Sequence, residues 1–414
     1  MIVCKFGGTS VACVDTAKKI KEIIDANKNR KIIVVSALGK SENHDYKITD
    51  KLFELYFAIR NNEEYLTIIN EIIKRYQELS NVLNVNLDWE YLRYKLINEI
   101  KNGNISKAYV VSRGEYFSAI LFAKYLNIEF LDASEYIIFN KNGKINKKNT
   151  KNRLKRLNLN KKYIIGGYYG ANNDGEICLF DRGGSDITGA IICKMLNFEI
   201  YENYTDVCGV FDKNPNVFSN YKQLPLISYR TAIAMANGGN EVVHGKALIE
   251  LKGSDSILSV KSTKDYERLG TIIINNNEII NDNLYVCTSE MVVAEFNNLL
   301  VEQISLLKRN VNIYKIIKIK GIYYVLIKNM QMKESRFKNM FNPTIMYSAR
   351  MFTIFSDMEI KGVYLKQIKK IKSKLKKYNI ICTNLAKNNN FCVISCEKFS
   401  SVVINTINEY LQNE

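Results

Sequence analysis

The chain has 414 residues, 47% of them apolar, which is enough for two or three domains and a sizeable core. Its 59 Lys and Arg against 42 Asp and Glu leave a charge of +17, but the lysines are scattered over Asn- and Lys-rich faces such as 366–377, without interleaved aromatics, so they read as solvated surface and not as a nucleic-acid footprint. No apolar run nears the ~20 residues of a membrane span, no basic-then-apolar leader opens the chain, and nine cysteines without paired spacing argue against a disulfide framework, so a cytoplasmic protein without membrane partners is expected.

Residues 1–40 read as strand, turn, helix and strand. The apolar start Met1–Cys4 runs into Lys5-Phe6-Gly7-Gly8-Thr9-Ser10. Two glycines there let the backbone approach a bulky anion, and the following helix N-terminus favours negative charge. Lys5 adds a mobile positive charge. Ala17, Ile20, Ile23 and Ile24 share one helical face, and Ile32–Val35 is an apolar run of the buried-strand kind. Gly39-Lys40-Ser41 imitates the end of a P-loop, but Val34 stands where that motif needs glycine.

Residues 47–101 read as helical, with apolar positions at Leu52, Leu55, Tyr56 and Ile59, then Ile68, Ile69, Ile72 and Ile73. Tyr109–Ser112 and Ile128–Asp132 read as strands with a helix between them. That places Ser112-Arg113-Gly114-Glu115 at a strand end. Lys141–Lys162 reads as a hairpin plus a linking helix, and Tyr163–Gly167 as strand. Alternation of strand and helix to about residue 275 argues for a mainly parallel sheet covered on both faces. The composition shifts at Asn275–Asn283. Beyond it come two short βαβ-like units, the first from Tyr285 to Ile327 and the second from Met351–Phe355 to the helix Ser400–Leu411. The domains read as 1–278, 284–350 and 351–414.

Four segments carry the chemistry: Lys5–Ser10; Ser112–Glu115; Gly167-Tyr168-Tyr169-Gly170 with Asp181-Arg182-Gly183-Gly184-Ser185-Asp186; and Tyr204-Thr205-Asp206-Val207-Cys208-Gly209-Val210-Phe211. In an open α/β sheet all four would emerge at the carboxyl ends of strands, where ligands bind. With only His44 and His244 in the chain, no zinc site is expected, and no metal-ligating residue is assigned.

In order and separation these strings resemble the aspartate kinases of the amino-acid-kinase superfamily. Ser36-Ala37 and Asp45–Asp50 are similar to that family too, and Phe355–Met358 with Gly362-Val363 resemble its tandem ACT domains. The resemblance implies a three-layer α/β amino-acid-kinase fold followed by two small α+β ACT-like domains. It implies ATP-dependent phosphorylation of the β-carboxylate of L-aspartate to 4-phospho-L-aspartate, in lysine, threonine and methionine synthesis, with ATP and Mg2+. Lys5 would face the transferred phosphoryl, Arg182 would fork a substrate carboxylate, and Asp186 would orient the amine or the loop; these three form the catalytic set. Thr49, Glu115, Arg182 and Ser185 would bind aspartate. Lys5, Gly7, Gly8, Ser36, Thr205, Asp206 and Phe211 would form the nucleotide side. A homodimer through the tail and an allosteric lysine or threonine are implied partners. The chain departs from the family pattern at Asp181, at Glu241 and at Asn214 and Asn216. These motivate the alternative of a catalytically weakened homologue that binds or senses amino acids.

Overall fold

The structure, a computed structural model, describes residues 1–103, 105–180, 183–240, 242–276, 284–328, 330, 332–356, 363–376, 378, 380–384 and 391–411. Arg182, Asp181 and Glu241 lie outside the described residues. Two compact units are present: one of residues 1–210, 224–233 and 241–277, the other of 211–223, 234–240 and 278–414.

The first unit begins β1 (Ile2–Phe6), α1 (Val14–Ala26), β2 (Arg30–Val35), α2 (Ile48–Arg60), α3 (Leu66–Val82), α4 (Trp89–Lys101), α5 (Lys107–Leu126) and β3 (Glu129–Leu131). It continues α6 (Ala133–Tyr136), β4 (Ile138–Phe139), α7 (Lys147–Leu154), β5 (Tyr163–Gly166), β6 (Tyr169–Asn172), β7 (Ile177–Leu179), α8 (Gly184–Met195) and β8 (Ile200–Thr205). It ends with β9 (Leu226–Ser228), the first residues of α9 (Tyr229–Gly238), whose part from 234 on is counted with the second unit, then α10 (Gly245–Leu251), β10 (Ile257–Ser262) and β11 (Thr271–Ile274).

Eight strands form the main sheet in the order β3-β5-β2-β1-β8-β10-β11-β9, parallel from β3 through β10. β4, β6 and β7 make a small second sheet. The apolar run in β2 is buried almost throughout, as a strand covered on both faces must be. On α1 the buried stripe is Thr16, Ala17, Ile20, Ile23 and Ile24, the face expected from the helical period.

In the first unit α5 differs from the sequence reading. Tyr109–Ser112 belongs to α5, so Ser112–Glu115 lie inside a helix and not at a strand end. The Ser106 side chain caps that helix by accepting from the Tyr109 N–H at 3.1 Å. Val110 through Glu115 are all buried, so α5 lacks the polar face that marks a helix in sequence, and its Tyr-Val-Val reads like a strand.

The second unit contains β12 (Leu284–Phe296), α11 (Val301–Asn310), β13 (Ile313–Ile319), β14 (Ile322–Ile327), α12 (Glu334–Phe341) and β15 (Ile345–Ser356). α13 (Val363–Lys376), β16 (Ile381–Asn384), β17 (Phe391–Cys396) and α14 (Ser400–Leu411) follow. Its six-stranded sheet has the order β13-β14-β12-β15-β17-β16 and is antiparallel. β12 and β15 pair along their whole length, from Leu284↔Ser356 to Glu295↔Ile345. β14 adds only to Val292–Phe296, and β17 only to Ala349–Ile354. Each long strand therefore serves its own βαββ unit with one half and closes the other unit with the remainder. Where the sequence reads Tyr285-Val286 and Val292–Phe296 as separate short strands, β12 is one strand that runs on through buried Cys287 and Thr288 and the more exposed Ser289 and Glu290.

Candidate active site

The main sheet fixes where the motifs emerge. Phe6 pairs with Val35 on one side and Tyr204 on the other, Val35 pairs with Gly166, and Thr205 pairs with Ser262. Five parallel strands therefore end in one row. Backbone hydrogen bonds carry that alignment one residue further: Gly7 N–H to Tyr204 O at 3.1 Å, Ser36 N–H to Phe6 O at 3.2 Å, Gly167 N–H to Val35 O at 2.9 Å, and Thr263 N–H to Thr205 O at 2.9 Å. From β1 the chain builds to β2 and β5 on one side and to β8 and β10 on the other. The order reverses at β1, and a crevice at such a reversal is where open α/β sheets bind ligands.

Lys5 lies at that reversal, opposite Asn203 in register. Its Nζ is 2.6 Å from Asp186 Oδ1, and both side chains are about nine-tenths buried. The Asn203 amide joins the pair, donating to Asp186 Oδ1 at 3.1 Å and offering its Oδ1 to Lys5 at 3.5 Å. The His244 backbone N–H donates to Asp186 Oδ2 at 3.0 Å. Asp186 is in the first turn of α8, where a carboxylate is favoured by the helix dipole. Lys5 is thus a low-dielectric cation held in one place. A Cβ added at Gly7 would stand 3.6 Å from Lys5 Nζ, so the glycine turn and the cation adjoin.

The opposite face of the same strands holds a separate buried network. Arg30 Nε and Nη2 donate to the two Glu202 oxygens at 2.7 and 3.1 Å, and Lys261 Nζ is 3.3 Å from Glu202 Oε1. Burial alone would raise the Glu202 carboxyl, but Arg30 and Lys261 hold it below the usual carboxylate range. This network anchors β1, β2, β8 and β10 beneath the crevice.

Glu115 is the carboxylate without such partners. It is buried, its Oε2 has no hydrogen-bond partner among the described residues, and burial pushes its carboxyl up to about 8. Backbone N–H groups of Ala37 and of Glu115 itself offset only part of that rise. The Glu115 backbone packs on the β5 end, where a Cβ on Gly166 would come within 2.9 Å of its carbonyl oxygen. At Gly167 a Cβ would meet Ser185 Oγ at 2.6 Å, so Ser185 is pressed against the same strand end. Gly183, the N-cap of α8, has φ 73°, and a Cβ there would strike the His244 ring.

Gly8 and Gly39 bring the β1 turn against the loop after β2. Gly39 N–H donates to Gly8 O at 2.8 Å, and a Cβ on Gly39 would lie 2.6 Å from Gly8 C. Thr49 is half-buried in the first turn of α2, whose N-cap is Lys47. Ser36 is half-buried at the end of β2. Thr205 donates to Asp206 Oδ1 at 3.1 Å, and Asp206 is exposed. Phe211 belongs to the second unit, where it makes an edge contact with Tyr221 at 5.4 Å.

The structure therefore joins Lys5 to Asp186, sets Glu115 and Ser185 against consecutive glycines at the end of β5, and places Gly7, Ser36, Thr205 and Asp206 along one sheet edge. Asn203 and the His244 backbone were not anticipated in the site. The signal for Asn203 was present, as a polar residue inside an otherwise buried strand.

Residues 1–261 match the model of the amino acid kinase family. Aspartokinase 3 of Bacillus subtilis (strain 168) is 29% identical over 299 residues, which is 68% of this chain and 65% of that protein. Lysine-sensitive aspartokinase 3 of Escherichia coli (strain K12) is 27% identical over 307 residues, 67% of this chain and again 65% of the relative, so the matched region spans just under two thirds of these curated proteins. The crystal structure of Clostridium acetobutylicum aspartate kinase has a TM-score of 0.76 to this chain at 29% identity, covering 99% of this chain and 100% of the other. E. coli aspartokinase III in complex with aspartate and ADP shares the fold, with a TM-score of 0.76 at 21% identity and full coverage of both chains. The motifs, the row of strand ends they leave from, and a family match over well over half of the sequence agree: this chain belongs to the amino acid kinase family.

Proposed function

We propose that the chain is an aspartate kinase that transfers the γ-phosphoryl of ATP to the β-carboxylate of L-aspartate, giving 4-phospho-L-aspartate for lysine, threonine and methionine synthesis. The observation that carries this reading is Glu115: a buried carboxylate with a free oxygen, at the same sheet edge as a buried lysine. Such a group is stabilised by a ligand cation, and the ammonium of an amino acid supplies one.

The acceptor carboxylate is ionised at neutral pH, its reference pKa being about 3.9, so its attack on phosphorus needs no general base. An acceptor oxygen–phosphorus bond forms as the bond to the ADP oxygen breaks. Charge spread over the transferring phosphoryl falls to Lys5, which Asp186 and Asn203 hold in place without reorganisation. Arg182 would take a substrate carboxylate, while Thr49 and Ser185 would add neutral hydrogen bonds. Gly7, Gly8, Ser36, Thr205 and Asp206 would serve the nucleotide. Among the described residues, the donor set at these strand ends is hydroxyls and the exposed carboxylate of Asp206, which fits an Mg2+ carried in on phosphate oxygens with few protein ligands. Bound there, Mg2+ would neutralise phosphate charge.

We assign the kinase domain to 1–278 and ACT-like domains to 284–350 and 351–414, each completed by half of the other's long strand. Through this tail the chain would dimerise and bind lysine or threonine, in the cytoplasm. A coupled ADP-release assay with a panel of amino acids tests the activity. Release that requires both aspartate and Mg2+, and is lost in Lys5→Ala, supports the reading. No aspartate-dependent release from the wild type, with or without lysine, refutes it in favour of an amino-acid-binding homologue.

A further inference from the structure

We propose that Arg75, on α3, is a positioning residue for the glycine turn, acting through the loop that joins β2 to α2. The residue is 2% exposed, and its guanidinium donates to two carbonyls at the two ends of that loop, Gly39 O and, at 2.7 Å, Tyr46 O. It also lies 5.0 Å over the Tyr46 ring. No carboxylate is in ion-pair range of Arg75 among the described residues, and its Nε makes no hydrogen bond there. A buried cation without a counter-ion is costly, and hydrophobic residues of similar volume generally serve stability better. What the planar fork supplies is geometry, because two fixed donors gather two carbonyls seven residues apart.

The clamped end is the one that touches the phosphate-binding turn. Gly39 is locked backbone to backbone on Gly8, through its N–H to Gly8 O and through a fit that leaves no room for a Cβ beside Gly8 C and Thr9 N. Between the clamped carbonyls the loop has a two-residue bridge from Ser41 to His44, the exposed pair Lys40–Asp45 and an edge contact of the His44 and Tyr46 rings, and just outside them the Ile48 N–H donates to Leu38 O at 3.0 Å. α3 is reached from the loop by His44, 3.3 Å from Glu78, and from α2 just beyond it by Lys51, 2.7 Å from Glu71. Glu71, Arg75 and Glu78 form one stripe of the helix. Next to Arg75, the Tyr76 hydroxyl donates at 2.7 Å to Gly114 O, the residue before Glu115. α3 therefore braces two of the segments that carry the site. A shift of the Gly39 end moves the turn that Lys5 adjoins, and misplacement by about 1 Å is enough to cost ~100-fold in rate.

This inference rests on the kinase reading, and its test has one arm that does not. Arg75→Met and Arg75→Lys are compared with the full-length wild type by timed trypsin cleavage at the exposed Lys40 and Lys47, by melting temperature and by steady-state ADP release. In Arg75→Met, cleavage at these two sites relative to the other lysines accelerates about tenfold, and KM for ATP rises about tenfold or more. Arg75→Lys, which can serve one carbonyl at a time, falls between and carries the test if the Met variant does not fold. General destabilisation would instead speed cleavage at all sites together. Unchanged relative cleavage, or an unchanged KM for ATP beside faster loop cleavage, overturns the proposal. A wild type without aspartate-dependent ADP release refutes the kinase reading alone, since the cleavage arm still reports whether Arg75 holds the loop.

Discussion

Replacing Glu115 by Gln removes the titrating group that, among the described residues of the site, is left buried and half-partnered. In the folded chain its carboxyl is raised from 4.5 to about 8 because burial penalises the charged form. Between those two pH values the folded protein keeps a proton that the unfolded chain has released. Stability from this group is therefore present below pH 4.5, declines as pH rises, and is fully lost above about 8. At about 1.4 kcal/mol per pH unit, the whole window amounts to about 5 kcal/mol. Gln keeps the shape and does not titrate, so Glu115→Gln gains on the wild type progressively from about pH 4.5 to about 8 and the gain then levels off. Urea unfolding of both proteins at several pH values, read on the transition of the first unit, gives the difference directly, and the other titrating groups cancel in it. L-Aspartate should restore the wild type at alkaline pH, since an ammonium beside the carboxylate favours its charged form, and should do nothing for the variant. Stability profiles of wild type and variant that run parallel with pH would refute both the burial argument and the ammonium role drawn from it.

Gly39→Ala places a Cβ against the backbone of Gly8 and Thr9, atoms that cannot turn aside, so it should cost about 1–3 kcal/mol in urea unfolding and weaken ATP binding in calorimetry. Arg30→Met leaves Glu202 with Lys261 as its remaining cation and should cost about 3 kcal/mol near neutral pH. Because that pair depresses the Glu202 carboxyl, its contribution exists above the ordinary carboxylate pKa and fades in acid. The deficit of Arg30→Met should therefore shrink below about pH 4, whereas a deficit constant in pH would show that packing and not charge is lost.

Much of the first unit was legible in the residues themselves. The Ile-rich run of β2 and the one-sided apolar stripe of α1 are periodic signals that local burial enforces. The glycine turn after β1 and the polar residues at the strand ends could be read as an anion site, because short motifs carry their own backbone geometry. α5 could not be read this way. Its stretch from Val110 to Glu115 is buried all round and so shows no polar face, and its β-branched residues imitate a strand until neighbouring helices and strands enclose it. Nor could the length of β12 and β15, whose polar middle residues look like breaks until each strand pairs with the other. The residues that give the site its character meet across long stretches of chain. Lys5 finds Asp186, Asn203 and the His244 amide only because β1, β8 and α8 are neighbours, and Arg75 reaches Gly39 only because α3 packs over the loop. The sequence alone determined which chemical groups are available and which local turns present them. The tertiary structure decided which charges are paired and which is left open, because pairing and desolvation depend on distances and burial that no local pattern specifies.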